Sequence, residues 1–198
     1  MRKILGFCSL ALLSFLVLSC QTESKRPSAS EGAGYTVPDG FDSENISDEL
    51  THVSQTRGEY LKVEGYVRQG KKDGVWITYY PERRKIERIE PYHQGQLHGR
   101  VKEFSLNGNM TLDAAYKNGQ KHGTYREYKF GYPLALAEFE NGQLEGERYI
   151  YFSDKENLGT VQQKIEYRNG KKNGLHQYFN DKNEVVLEYR YKDGERLE

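Results

Sequence analysis

Cysteine is nearly missing from this chain, and its two copies stand where neither can form a structural bridge. Cys8 lies inside an apolar run near the start, and Cys20 follows the end of that run. Removal of the run leaves one cysteine, which excludes a disulfide framework, a thiolate zinc site and a thiol nucleophile. The fold must therefore be stabilised by backbone pairing and side-chain packing.

The chain also has no net charge. Lys and Arg total 29, and Asp and Glu also total 29. Domains that bind a phosphate backbone usually carry a basic excess, so nucleic acid is not an expected partner. No helical period of useful length follows the apolar run, and 16 tyrosines supply much of the apolar area. This composition favours a thin, solvated sheet over a deep sandwich core.

What the chain does have is a repeated pair of glycines, four residues apart. The clearest copy runs from Tyr116 to Tyr128, with Asn118-Gly119 and then Gly123. The pairs are Gly70 and Gly74, Gly95 and Gly99, Gly119 and Gly123, Gly142 and Gly146, and Gly170 and Gly174, with Gly194 in a shorter last copy. The first glycines are 25, 24, 23, 28 and 24 residues apart. A near-constant period of this size is typical of repeat proteins.

The residues around each pair predict a β-hairpin. An aromatic residue leads each copy, at Tyr66, Tyr92, Tyr116, Phe139, Tyr167 and Tyr191. The residue before the first glycine is Asn or Asp in four copies and Gln in two. Asn and Asp tolerate the positive φ of a two-residue hairpin turn, and Gln69 and Gln94 depart from this pattern; the second glycine fits another such position in the returning strand. The predicted fold is all-β, an elongated antiparallel β-meander or solenoid of about six hairpin repeats.

Three features depart from a regular alternation. Pro91 lacks a ladder donor and predicts a bulge or an irregular edge in the second copy. Trp76 and Tyr79 have opposite parity, so either aromatic residues occupy both faces or a bulge intervenes. Residues 153–159 account for the 28-residue step and predict a longer turn opposite the Asn-Gly turns.

The first 50 residues are predicted to precede the fold. The basic residues Arg2 and Lys3 and an apolar run of about 15 residues are typical of a signal peptide, because a membrane span needs about 20. Residues 20–50 are rich in Ser, Glu, Asp, Gly and Pro and predict a flexible linker. The alternative is a short ordered extension that packs on the first repeat. Residues 51–198 form the predicted repeat domain.

Two resemblances extend this interpretation. The sequence Leu16-Val17-Leu18-Ser19-Cys20 resembles the bacterial lipoprotein signal, which implies that residues 1–19 are removed and that Cys20 is lipidated. The alternative is an ordinary signal peptide with a cysteine near its end. The pattern from Tyr116 to Tyr128 resembles the variant MORN repeats of bacterial proteins, some of which are described as antitoxin-like. That resemblance implies a β-meander and no catalytic residue.

Candidate sites lie on the repeat columns. Aromatic residues that could form a stacking platform for a glycan or a peptide, or simply replace a core, are Trp76, Tyr79, Phe104, Tyr125, Tyr128, Tyr151 and Phe179. Lysines near the turns, Lys71, Lys72, Lys121, Lys171 and Lys172, could form a basic rim or merely a soluble turn. The residues before the second glycine, Asp73, His98, His122, Glu145 and Asn173, could form a polar ladder, but their mixed chemistry does not predict a metal site. No cofactor is predicted.

The sequence therefore predicts a non-enzymatic protein, anchored to a membrane through Cys20, that acts as a binding or scaffolding surface in the bacterial cell envelope. Its expected partner is another envelope protein or a glycan. Gln21 after Cys20 favours the outer over the inner membrane, from the same lipoprotein resemblance. The alternative function is an antitoxin or immunity protein that neutralises a toxin by direct binding.

Overall fold

A computed structural model describes residues 37, 39–81 and 83–197. The predicted signal peptide, Cys20 and the first part of the predicted linker lie outside these residues. Every regular element within them is a β-strand, and none of them forms a helix suited to crossing a membrane. The strands are β1 (Asp42–Asn45), β2 (Leu50–Arg57), β3 (Tyr60–Arg68), β4 (Lys71–Tyr79), β5 (Ile86–His93), β6 (Gln96–Leu97), β7 (Gly99–Phe104), β8 (Met110–Lys117), β9 (Gln120–Lys129), β10 (Tyr132–Glu140), β11 (Gln143–Tyr151), β12 (Val161–Arg168), β13 (Lys171–Phe179), β14 (Val185–Lys192) and β15 (Glu195–Arg196).

These strands form one antiparallel sheet in which neighbours in sequence are neighbours in space. The single departure is β6, which pairs only with β5 and leaves β7 to continue the order. The predicted all-β meander is confirmed. Its turns alternate between two edges of the sheet, and we call the edge with the Asn-Gly-type turns, from residues 69–70 to residues 193–194, the near edge. The opposite edge, with turns from residues 58–59 to residues 180–184, is the far edge.

All six turns of the near edge share one backbone conformation. The residue before each first glycine has φ between 47° and 52°, and the glycine itself has φ between 76° and 96°. Two consecutive positive φ values define a type I′ turn, whose twist matches that of the flanking strands. The hairpin prediction is confirmed, also for Gln69 and Gln94, where the turn residue is neither Asn nor Asp.

Backbone hydrogen bonds join each near-edge turn to the turn one repeat earlier. The N–H of Gly119 donates to the carbonyl oxygen of Leu97 over 2.9 Å, and that of Gly142 to Lys121 over 2.8 Å. The same bond recurs from Gly95 to Lys72, from Gly170 to Leu144 and from Gly194 to Lys172. Because each of these glycines donates to the repeat before it, the repeats are held in a fixed stacking register at this edge.

The second glycine of each pair lies in a β-bulge. In the third copy the register moves from Tyr116 opposite Lys121 to Ala114 opposite Tyr125, so the returning strand has two extra residues. Gly123 within this stretch has φ of 93°. The remaining second glycines also have positive φ, from 70° at Gly74 to 120° at Gly99. The predicted second special position is confirmed, and because the extra residues number two, residues of the two strands that face each other still lie on the same face after the bulge.

Pro91 produces the predicted irregularity, but in an interior strand of the sheet rather than in an edge strand. The strand opposite is interrupted at His98, so that β6 and β7 are separate, and β5 pairs with β7 only at Arg88 and Ile89. Proline has no N–H to donate to this ladder. A side chain at Gly99 would also meet the proline ring, because its Cβ would lie 2.9 Å from Pro91 Cγ.

Burial is confined to one face of the sheet. Directly opposed residues share a face, as do Ala114, Tyr125 and Ala137 across three strands. The buried side chains on this face, which we call the ring face, include Val53, Val67, Trp76, Val101, Ala114, Ala137, Ile165 and His176. The opposite face carries ion pairs such as His52–Glu64 at 3.3 Å and Arg100–Asp113 at 2.8 Å, and we call it the charge face.

Aromatic residues occupy both faces, which decides the parity question left open by the sequence. Trp76 packs against Val53 and Val67 on the ring face. The Tyr79 hydroxyl donates to Glu64 over 2.6 Å on the charge face. Trp76 and Tyr79 are three residues apart in β4, and the register shift at Thr78 and Tyr79 puts its extra residue in β5, so the two rings point in opposite directions.

Two sequence predictions are corrected here. Tyr66 does not lead the first copy, because it lies on the charge face and is 37% exposed. Val67, which is 4% exposed, stands in the position that the leading aromatic residues have in the other copies. The linker does not extend to residue 50, because β1 pairs with β2 and Phe41 packs edge-on against Trp76 with ring centroids 6.2 Å apart. Val37 packs on the same cluster. The ordered-extension alternative holds for the described residues of this segment.

Candidate binding surface

The seven aromatic residues of the predicted platform do not form one surface. Trp76 and Tyr125 lie on the ring face, and Trp76 is only 3% exposed, so it belongs to the core. By strand alternation the others, Tyr79, Phe104, Tyr128, Tyr151 and Phe179, lie on the charge face towards the far edge. Burial and the Glu64 carboxylate raise the pKa of Tyr79 to about 12, so this hydroxyl remains a hydrogen-bond donor.

On the ring face a lysine lies between two aromatic rings of adjacent repeats. The Lys72 Nζ is 4.1 Å from the ring centroid of Trp76 and 4.6 Å from that of Tyr92. The two rings meet edge to face, with centroids 6.4 Å apart. Burial lowers the pKa of Lys72 from its ordinary value, while the nearby Glu90 acts in the opposite direction. The cation therefore bridges consecutive units through its contacts with both rings.

The third repeat has the same arrangement. The Lys121 Nζ is 4.2 Å from the centroid of Tyr125 and 5.0 Å from that of Phe139. The Tyr125 hydroxyl donates to the Glu127 carboxylate. Burial, with that carboxylate, raises the pKa of Tyr125 well above its usual range. Tyr125 thus carries a neutral donor and a ring on one side chain.

In the fifth repeat a histidine replaces the first ring. The Lys172 Nζ is 4.9 Å from the centroid of Tyr191 and 3.2 Å from Nδ1 of His176. Burial and the adjacent ammonium both lower the pKa of His176. The neutral ring accepts at Nδ1 from Lys172 and donates from Nε2 to Gln163 Oε1 over 3.1 Å.

These three lysine–ring sites occur in alternate repeats. The second residue after the turn glycine is Lys72, Leu97, Lys121, Leu144 and Lys172 in successive copies. Each site is four strands from the next, which is about 19 Å along the sheet at the usual strand spacing of about 4.8 Å. Lys72, Lys121 and Lys172 therefore do not form the basic rim suggested by the sequence, because they turn onto the ring face. The alternation of Lys and Leu was the available sequence signal.

The polar ladder of the near edge connects turns to one another. The Glu145 Oε2 accepts from the backbone N–H of Asn169 over 2.8 Å, and the His122 Nδ1 accepts from that of Asn141 over 3.4 Å. The Asp73 Oδ1 likewise accepts from the backbone N–H of Gln94, whereas His98 and Asn173 hydrogen-bond to side-chain oxygens of the next turn, on Asn118 and Asp193. Within the described residues no three His, Cys, Asp or Glu side chains are grouped so that they could hold a metal ion. This row has a structural role between repeats.

A hollow of about 560 Å³ opens towards the far edge on the second repeat, and its lining includes Arg88, Glu103 and Leu106. The Arg88 guanidinium lies 3.2 Å from Glu90 and 3.4 Å from Glu103. Because two carboxylates surround the one cation, the hollow is suited to a hydrogen-bonding ligand more than to an anion.

Taken together, the ring face offers regularly spaced cations beside aromatic rings, and a polar hollow opens between the first two of these sites. Rings and cations of this kind form contacts with planar or charged groups of a partner. Each ammonium already contacts two rings, one of them a neutral histidine in the fifth repeat. A partner would therefore bind these sites by packing against the lysine and the rings together.

Comparison with known proteins adds little to this geometry. No protein-family model matches the chain, and no match to a curated protein was found. One solved structure that aligns with it is described as the crystal structure of TarM, at 12% identity and a TM-score of 0.27. The alignment covers 57% of this chain and 20% of that one. The chain thus spans about one fifth of the length of that structure.

Proposed function

We propose that this chain is a non-enzymatic repeat protein of the bacterial cell envelope that presents its sheet as a binding or scaffolding surface. It is anchored through a lipid on Cys20, and it belongs among the variant MORN repeat proteins. The signal-like start and the six glycine-marked copies support this proposal.

The observation that carries the proposal is the set of lysine–ring sites on the ring face. They recur in alternate repeats, and the turn-to-turn hydrogen bonds fix their spacing. A surface with regular rows of cations and rings suits an extended partner that makes several weak contacts at once. The expected partner is an envelope protein or a glycan, and the anchor suits the outer membrane more than the inner.

The anchor is tested by fractionation. In a bacterial host that processes lipoproteins, we expect the intact protein in the membrane fraction and Cys20→Ala in the soluble fraction. Retention of Cys20→Ala in the membrane fraction would contradict the lipid anchor.

The surface is tested by a triple variant in which Lys72, Lys121 and Lys172 are replaced by Leu. Leucine is the residue that the second and fourth repeats already have at this position, so the fold should persist. Partner recovered from native membranes with the intact protein as bait should fall several-fold with the triple variant. Equal recovery from a folded triple variant would show that the ring face is not the binding surface.

A further inference from the structure

One turn of the far edge departs from every other tight turn in the described part of the chain. Phe130-Gly131 joins β9 to β10, with φ of 53° at Phe130 and 86° at Gly131. Phe130 is 73% exposed, the largest value among the exposed large hydrophobic residues of the described chain, and Tyr132 beside it is 49% exposed. A bulky ring therefore stands in a left-handed conformation and in solvent at the same time.

This choice of residue is unfavourable for folding. A left-handed φ costs a residue with a bulky side chain more than it costs Asn or Gly. The near-edge turns place Asn, Asp or Gln at the same conformation, and the far edge uses Asn183 with φ of 61°. The exposed ring gains little burial to offset the strain. Local strain of this kind, at an exposed apolar residue, points to a contact made with something else.

Cations lie on both sides of the ring along the far edge. The Lys129 Nζ lies 5.8 Å from the Phe130 centroid and donates to the carbonyl of Ser153 over 2.9 Å. In the preceding far-edge turns Leu106 is 44% exposed, and the Lys85 Nζ donates to its carbonyl oxygen over 2.9 Å. Arg83 and Arg84 are exposed beside Lys85. The apolar tip, which consists of Phe130, Tyr132 and Leu106, therefore has cations near it in the turns on both sides.

We propose that this apolar tip inserts into an apolar pocket of a partner protein whose rim carries Asp or Glu side chains. The ring would fill the pocket, and Lys129 with the cations of residues 83–85 would face the acidic rim. Aromatic anchors surrounded by charged rims are the usual energetic centre of such interfaces. The inference rests on the proposed function, since it names the kind of partner that the binding protein takes.

A lipid surface fits the same tip less well. The adjoining loop at residues 152–160 carries Asp154 and Glu156, and its Gly159 lies against the Tyr132 ring. The turn on the other side is polar at Asn107 and Asn109. Insertion into a bilayer would bring these acidic and polar groups to the headgroups together with a single aromatic turn. A protein pocket, unlike a flat bilayer surface, can accept the tip and face the nearby cations without contact with Asp154 and Glu156.

The experiment places the photo-reactive residue benzoylphenylalanine in the full-length lipidated protein in its host cells. The positions are 130, 183 as a matched far-edge turn, and 144 on the ring face. We expect position 130, and not 183, to cross-link to one protein, with the linked peptide in an apolar pocket bordered by carboxylates. Cross-links from 144 alone would overturn the tip proposal and leave the proposed function intact. Cross-links from 130 to lipid alone would also overturn the tip proposal, and no protein cross-link from any position would contradict both.

A pair of reciprocal variants separates binding from folding. Phe130→Asn should raise the Tm by about 2–4 °C, because it removes the strain, and should weaken binding to the cross-linked partner at least tenfold. Asn141→Phe, at φ of 49° on the near edge, should lower the Tm by a similar amount and leave binding unchanged. A lower Tm for Phe130→Asn, or unchanged binding, would show that the ring serves the fold and would overturn the proposal.

Discussion

The two edges of the sheet are held together in different ways. On the near edge each turn has two residues, and the backbone of one turn donates directly to the backbone of the turn before it. On the far edge the turns vary in length from residues 130–131 to residues 152–160, and long side chains make the connections. The Tyr80 hydroxyl donates to the carbonyl of Phe104 over 2.6 Å, and Lys129 to that of Ser153 over 2.9 Å.

This difference separates what the fold requires from what can vary. A backbone-to-backbone bond forms only when both turns keep the same φ values and the same length, so the near edge cannot tolerate insertion. A side chain can reach a carbonyl from several positions, so the far edge accepts loops of different length and composition. Loops positioned by a rigid scaffold are where binding residues concentrate. The far edge is accordingly the place where one turn carries an exposed ring in a strained conformation.

The sharpest test of the comparison is insertion of Gly-Ser into one turn of each edge. Between Asn118 and Gly119 the insertion should lower the free energy of unfolding by about 3 kcal/mol, since it removes the type I′ turn and the bond from Gly119 to Leu97. Between Arg83 and Arg84 the same insertion should cost less than about 0.5 kcal/mol, because it lengthens an exposed turn and leaves the bond from Arg83 to Tyr80 in place. Urea unfolding of the purified chain without its first 20 residues measures both. Equal losses would mean that the edges do not differ.

A smaller effect is expected from a single change at the same turn. Gly119→Val should destabilise the fold by about 2 kcal/mol, because a β-branched residue is strained at φ of 80°. Gly119→Asn is the control and should cost less than half as much, since Asn tolerates this conformation better. Thermal unfolding checks both variants. An unchanged Tm for Gly119→Val would contradict the assigned turn geometry.

The near edge could be predicted from sequence because its structure is local. Asn118-Gly119 restricts φ by itself, and the recurrence of that pair predicts the meander without knowledge of any contact. The second glycine was predicted to be special for the same reason, and Gly123 lies in a bulge at positive φ. The longer turn at residues 153–159 also follows from spacing alone, and the structure places it on the far edge.

What the sequence did not predict depends on contacts between units. Lys121 could point outward as a rim or inward onto rings, and only the register of β9 with β10 brings Phe139 to the same place as Tyr125. Tyr66 was aligned one residue out of step with the five other leading aromatics. The predicted end of the linker at residue 50 was wrong because Phe41 packs against Trp76, a residue far along the chain. Phe130-Gly131 was overlooked because it falls between the glycine pairs, although a bulky residue before a turn glycine was a visible signal.

The smallest expected effect is a pH-dependent change in stability, and it comes from side chains that connect the near-edge turns in addition to the backbone bonds. The Arg68 guanidinium, 2.9 Å from Asp73 Oδ2, is the main cause of the lowered pKa of Asp73, and the N–H of Gln94 adds to it. A carboxyl whose pKa is lower in the folded state stabilises the fold above its unfolded pKa of about 3.9 and loses that contribution as pH falls through the folded value. Asp73→Asn should therefore have a lower urea midpoint than the parent at pH 7, and the two midpoints should converge towards pH 3.

Asn173 occupies the equivalent position in the fifth repeat, so the amide fits the site. A difference that stays constant from pH 7 to pH 3 would show that the carboxylate charge adds nothing to the hydrogen bonds between turns.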